Sequence, residues 1–163
     1  MTIKFPKAVE ADPRHAELEN LLAQDQKPIW ENGTLPISHV SFSAGLEAAL
    51  KAASNFQQLV FGLEKIDGIL DNEKKGIDAL NTKQGTPSAQ RASRLLIITN
   101  DGAERFFRSC EKTALKHADR LLVILVNIPS KTLEEKLFGH GREIKAVLVS
   151  ERDAVSKILL SLL

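Results

Sequence analysis

Apolar residues run without interruption at Leu95-Leu96-Ile97-Ile98 and again at Leu121-Leu122-Val123-Ile124-Leu125-Val126. A half-exposed strand alternates apolar and polar side chains, so an unbroken run predicts a strand covered on both faces. Ile144-Lys145-Ala146-Val147-Leu148-Val149 predicts a third such strand. Between and after these runs the period changes to that of a helix. Phe106, Phe107, Cys110 and Ala114 form one stripe, and Leu133, Leu137 and Phe138 form a shorter one that Gly139 ends. Val155, Ile158, Leu159 and Leu162 form the last stripe, with Ser150 and Asp153 as a capping-box-like start. Strands alternating with helices, the strands apolar throughout, predict an α/β fold: a three-layer α/β/α sandwich around a small central sheet.

Upstream, Ser43 is placed to cap a helix whose face is Leu46, Leu50, Ala53 and Phe56. The short run Leu59-Val60-Phe61 ends at Gly62, and Leu63, Ile66, Ile69 and Leu70 predict a further helix. Gly62 thus stands at a helix N-terminus, where backbone N–H groups lack partners. Residues 74–93 are polar, with two glycines and one proline, and predict a flexible insertion. Residues 1–42 predict a loosely attached leader with one short helix, started by Asp12 as cap with Pro13 at the first helical position and carrying Leu18, Leu21 and Leu22. The stretch 26–37 then predicts a connection in which Trp30 covers the core edge. The α/β/α domain is expected to span 43–163.

Charge sharpens this picture. The 163 residues carry 22 basic and 21 acidic side chains, a net of +1, far from the excess of a DNA-coating protein. The charge is nonetheless segregated. Residues 1–42 hold four basic side chains against six acidic ones, a net of −2. Residues 74–94 set Lys74, Lys75, Lys83, Arg91 and Arg94 against Asp78 alone, a net of +4. A single cysteine excludes an intramolecular disulfide. No apolar run reaches membrane-spanning length, and the first residues lack the apolar core of a secretory signal. An intracellular protein, cytoplasmic or nuclear, without membrane contact is the expectation.

Catalytic chemistry is sparse. The phosphate loop G-x-x-x-x-G-K-[ST], the dinucleotide motif G-x-G-x-x-G and the nucleophile elbow G-x-S-x-G are all missing. His15, His39, His117 and His140 form no metal-ligand pair at helical spacing. Cys110 lies on an apolar stripe, where a small core residue is expected. Asp101 follows a strand end, where α/β folds bind ligands, but Asn100-Asp101-Gly102 is also ordinary turn chemistry. We therefore expect no enzyme activity and no metal or other cofactor. Two features suit recognition instead: the helix start at Gly62, and the loop Gly139-His140-Gly141-Arg142-Glu143, whose glycines permit close backbone approach. His140, Arg142 and Lys145 add donors for phosphates or base edges.

The order of these parts carries a resemblance. A helix leads into Leu59-Val60-Phe61-Gly62, and an amphipathic helix follows. Next come Leu95–Asp101, a helix holding Cys110, a strand, Ser130-Lys131-Thr132-Leu133-Glu134-Glu135-Lys136-Leu137-Phe138-Gly139, another strand and a terminal helix. Residues 43–163 in this order resemble the ribosomal L-seven-Ae/L-thirty-e family of kink-turn RNA-binding proteins. The segment Ser130–Gly139 is similar to the family's S-K-x-x-L-G-x-x-x-G helix. The resemblance implies a non-catalytic RNA-binding or assembly subunit of a ribonucleoprotein of the ribosomal, small nucleolar or RNase P/MRP kind. Its partners would be structured RNA and other protein subunits. The family grips RNA with a G-x-N-E stretch; Gly62 keeps the glycine, while Glu64 and Lys65 replace Asn and Glu. Its second contact loop matches Gly139–Ile144. The implied RNA-binding residues are Gly62, Glu64, Lys65, Lys131, Gly141, Arg142 and Ile144. A second resemblance sets residues 41–50 and 94–102 beside the later half of a von Willebrand A domain, which implies a protein–protein scaffold. The D-x-S-x-S metal motif of that fold is missing.

Overall fold

The two longest apolar runs lie side by side at the centre of one sheet. The computed structural model describes residues 3–84, 91–139 and 143–163. Strand β4 (Arg94–Ile98) pairs in parallel with β5 (Leu121–Asn127), Leu96 opposite Val123 and Ile98 opposite Leu125. Helix α5 (Glu104–Lys116) connects them. Strand β6 (Ala146–Val149) lies antiparallel on the other side of β4, and β3 (Leu59–Phe61) lies antiparallel on β6 as one edge. Beyond β5 come β2 (Ile37–Ser41), parallel, and the two-residue β1 (Gln26–Lys27), antiparallel. The six-stranded order is β1-β2-β5-β4-β6-β3.

Alternation along the strands divides the core in two. Leu95, Ile97, Ile124, Val126, Val147 and Val149 face one layer. That layer holds α1 (Lys7–Glu10), α2 (His15–Gln24), α3 (Ala44–Asn55), α6 (Ser130–Phe138) and α7 (Arg152–Leu160). Leu96, Ile98, Val123, Leu125 and Leu148 face the other, under α5 and α4 (Leu63–Gln84). Both faces of β4, β5 and β6 are buried, as their composition requires. The chain is an α/β/α sandwich.

Several local expectations are corrected. Residues 3–41 are not a loosely attached leader. β2 is an interior strand, Val9, Leu18, Leu22 and Val40 belong to the core, and Arg91 donates to the Phe5 carbonyl and pairs with Glu10. The polar Ser38 is accepted inside because its hydroxyl donates to the Leu22 carbonyl at 2.7 Å. Asp12 does not cap α2, which starts at His15; its carboxylate closes a local turn by accepting from the Arg14 N–H at 2.8 Å. Residues 74–84 are not a flexible insertion but the second half of α4, largely exposed, so its polar composition reflects solvent and not irregular backbone. Residues 85–90 of the expected insertion lie outside the described residues. β6 begins at Ala146, two residues later than expected, although Ile144 is buried. Ser150 does not cap α7, because its hydroxyl donates instead to the Gln58 carbonyl. Ser43 does cap α3, accepting from the Leu46 N–H at 3.2 Å. Trp30 packs on the edge of the α4–α5 side of the core, with the Arg108 guanidinium 5.9 Å from its ring.

At the N-terminal ends of the parallel strands, charged groups tie α4 to the sheet. Glu73 accepts two hydrogen bonds from Arg94, at 3.2 and 3.1 Å, and one from the buried Arg120 at 2.8 Å. Partial burial disfavours the Glu73 charge, but the two guanidinium groups outweigh it and hold the carboxyl below the usual glutamate range. Nearby, His117 is buried with Nε2 3.3 Å from Asp71. Burial lowers its pKa from the ordinary 6.5, against the opposing pull of Asp71. The unfolded chain therefore takes up this proton first as pH falls below about 6.5, and the folded state loses ground there. His39, also shifted down by burial, acts in the same direction. The carboxylates shifted down in the fold, among them Asp71 and Glu73, cost stability only in a lower window, near and below their unfolded values of about 4. Urea midpoints at pH 7.5 and 5.5 are expected to fall for the wild type and to fall less for His117→Gln. An equal fall in both would place the titration elsewhere.

Candidate nucleic-acid interface

The C-terminal ends of β3, β4 and β5 lie at one edge of the sandwich, where α/β folds expose loops and helix starts. The chain entering β6 runs across this edge. Its Lys145 carbonyl accepts from the Thr99 N–H at 3.0 Å, and its Ala146 carbonyl accepts from the Gly62 N–H at 3.2 Å. Gly62 is thereby fixed directly before α4. Its φ of +91° is a conformation L side chains rarely adopt, while a Cβ there would meet no atom within 4 Å. Backbone conformation, not space, calls for glycine. A glycine also offers no side-chain cap, so the first-turn N–H groups of Leu63, Glu64 and Lys65 are left without intrahelical acceptors.

Beside this helix start is a cavity of about 560 Å³, lined in part by Phe61, Gly62, Phe106, Glu134, Ile144 and Lys145. Phe138 completes an aromatic corner, its ring edge-on to Phe61 at 5.4 Å between centroids. Lys145 reaches Glu143 at 3.7 Å, an exposed and therefore weak pair. Glu134 is the unusual member. It is 5% exposed and has no hydrogen bond or ion pair among the described residues.

Asp101 serves this edge without entering the cavity. Its carboxylate accepts from the Ser130 N–H at 3.0 Å and hydroxyl at 2.8 Å, and from the Thr99 hydroxyl at 3.0 Å. Pro129, the residue before α6, has no side chain able to cap it; Asp101 caps the helix from 29 positions away in the chain. Slight burial disfavours its charge, but the Ser130 and Thr99 hydrogen bonds prevail and keep the carboxyl below the ordinary aspartate value. Asn100-Asp101-Gly102 is a bend without a hydrogen-bonded turn, and the Asp101 carboxylate is committed instead to the start of α6. Cys110 is a core residue, its thiol pushed by burial up to about 12. Among the described residues no three His, Cys, Asp or Glu side chains gather as a metal site.

Gly62 and Ile144, 82 positions apart in sequence, line the same cavity. Glu64 and Lys65 are exposed on the first turn of α4, and Lys131 is exposed on the first turn of α6; none of the three lines the cavity. Gly141 and Arg142 lie outside the described residues. Sequence reasoning missed Glu134, Phe106 and Phe138. Glu134 did leave a signal: Ser130, Leu133, Glu134 and Leu137 follow the i, i+3, i+4, i+7 spacing of an inward face, so a carboxylate stands at a core-facing position.

No family model matches the chain, and no curated protein is similar to it. Among solved structures, a Bacillus halodurans protein of unknown function is similar in fold, with a TM-score of 0.52 at 14% identity, over 74% of this chain and 98% of that one. At that identity the likeness establishes the α/β architecture alone.

Proposed function

We propose that the chain is a non-catalytic RNA-binding or assembly subunit of a ribonucleoprotein, cytoplasmic or nuclear, whose partners are structured RNA and other protein subunits. The observation that supports this reading is the meeting of an uncapped helix N-terminus at Gly62 with the segment 143–146 over an aromatic-walled cavity. Each part suits a different portion of RNA. The N–H groups of α4 and the ammonium groups of Lys65 and Lys145 suit phosphates. Phe61, Phe106 and Phe138 suit an unstacked base, the form in which proteins read single-stranded and looped RNA. The resemblance to kink-turn binders points the same way. No described helix is long and apolar enough to cross a membrane.

The test is recovery from native cells under crosslinking, with both RNA and protein identified. The expected result is a defined structured RNA, crosslinked to the edge that carries Gly62 and Lys145, together with protein subunits. Recovery of protein partners with no RNA would favour the scaffold reading instead.

A further inference from the structure

α4 and α5 both start at the edge that carries Gly62 and run side by side down the same face of the sheet. They are joined where the Thr113 hydroxyl donates to Asp67 and where Lys116 pairs with Asp71 at 2.7 Å. Among the described residues these two helices expose seven basic side chains, against Glu64, Asp78 and Glu104 as the exposed acids. The five helices of the opposite layer expose six basic and five acidic side chains, so the excess belongs to one face. Its densest part is α5. Arg105, Arg108 and Lys112 stand at i, i+3 and i+7, one exposed row with steps of roughly 4.5 and 6 Å along the helix axis. None of the three pairs with a carboxylate among the described residues. The acid closest to them in sequence is turned away: Glu111 is buried and accepts from the Thr34 and Leu35 N–H groups at 3.2 and 3.4 Å. Arg108 lies 5.9 Å from the Trp30 ring, a contact that steadies the guanidinium and spends none of its N–H donors.

We propose that this face lies along the phosphate backbone of a double-stranded RNA stem, with Arg105, Arg108 and Lys112 of α5 as one track and Lys75 and Lys83 of α4 as a second. Unpaired cations in rows are complementary to a regular line of negative charge. α4 extends over 22 residues, roughly 33 Å, long enough to follow a stem and not a single phosphate. Trp30, beside the α5 row, is half-buried and already faces Arg108, so below the cavity the rows offer no open ring for an unstacked base. What they offer suits paired RNA, which proteins hold chiefly by its shape and backbone. Such contacts position the stem and carry little sequence information. The inference rests on reading the neighbouring edge as an RNA interface, and adds a stem to the looped segment that suits that edge.

The test compares the full wild-type chain with two triple variants, binding a stem–loop RNA and its loop alone, from about 50 to 200 mM salt. One variant is Arg105→Gln/Arg108→Gln/Lys112→Gln. The other, Lys7→Gln/Arg152→Gln/Lys157→Gln, removes three exposed cations from the opposite layer and so has the same net charge. Glutamine favours helix, and unfolding curves establish that each variant is folded. The α5 variant is expected to bind the stem–loop more weakly, with a log–log salt slope shallower by about 0.9 per cation, so the advantage of the wild type shrinks about 40-fold across that range. The Arg105→Gln/Lys112→Gln pair, which spares the Trp30 contact, is expected to show about two-thirds of the change in slope. The opposite-layer variant is expected to keep the wild-type slope, and binding of the loop alone to be indifferent to the α5 change. Equal losses in the two triple variants, or wild-type affinity and slope in the folded α5 variant, overturn the proposal and leave the RNA reading of the edge standing. A wild type that binds neither RNA removes both. Capture of an acidic protein by a wild type that binds no RNA, lost in the α5 variant, overturns the stem and gives the face to that protein.

Discussion

Replacing Glu73 by alanine is expected to lower the stability of the fold by about 3 kcal/mol, because it strands a buried guanidinium. Arg120 is almost fully enclosed, and its Nη2 donates to the Glu73 carboxylate at 2.8 Å and to the Leu70 carbonyl at 3.3 Å. Arg94, at the start of β4, grips the same carboxylate with two nitrogens. Glu73 thus joins α4 to two neighbouring strands. For a domain of this size the loss corresponds to a fall of roughly 6–12 °C in the unfolding midpoint. A double-mutant cycle tests the cause: Glu73→Ala should cost much less in an Arg120→Leu background, where no buried charge remains to be orphaned. A cost under about 1 kcal/mol in the wild-type background would mean that the carboxylate is only a solvated surface group. The clamp holds the middle of the same helix that starts after Gly62.

How much of this was legible in the sequence depended on what each segment must satisfy alone. β4 and β5 are covered on both faces, so their sequences had to be apolar throughout, and they read as strands at once. β2 is as interior as they are, yet Ser38 and His39 interrupt its five residues. The partner that satisfies the Ser38 hydroxyl is a carbonyl of α2, 16 residues earlier, which no local window reveals. The second half of α4 needed no apolar face because most of it stands in solvent, so a helical period was never written into it. Caps failed where a nearer partner competed: Asp12 took the Arg14 N–H, and Ser150 took the Gln58 carbonyl. At the site, Gly62 was legible because a glycine between an apolar run and a helix marks a backbone constraint. The gathering of Phe61, Phe106 and Phe138 was not, because those residues come from β3, α5 and α6 and meet only through the sheet order.

The proposed contact of RNA phosphates with the edge carrying Gly62 and Lys145 is read in the salt dependence of RNA affinity. Lys65 is exposed on the first turn of α4, and Lys145 lies across from that turn where the chain enters β6. A lysine on a phosphate contributes affinity largely independent of sequence, through release of counterions. RNA affinity should be measured from about 50 to 200 mM salt for the wild type and for the Lys65→Ala/Lys145→Ala double variant, with matching unfolding curves to establish that both are folded. The double variant is expected to bind every RNA tested more weakly, with a log–log salt slope shallower by about 1 per lysine removed. An unchanged affinity and slope in the folded double variant would contradict it.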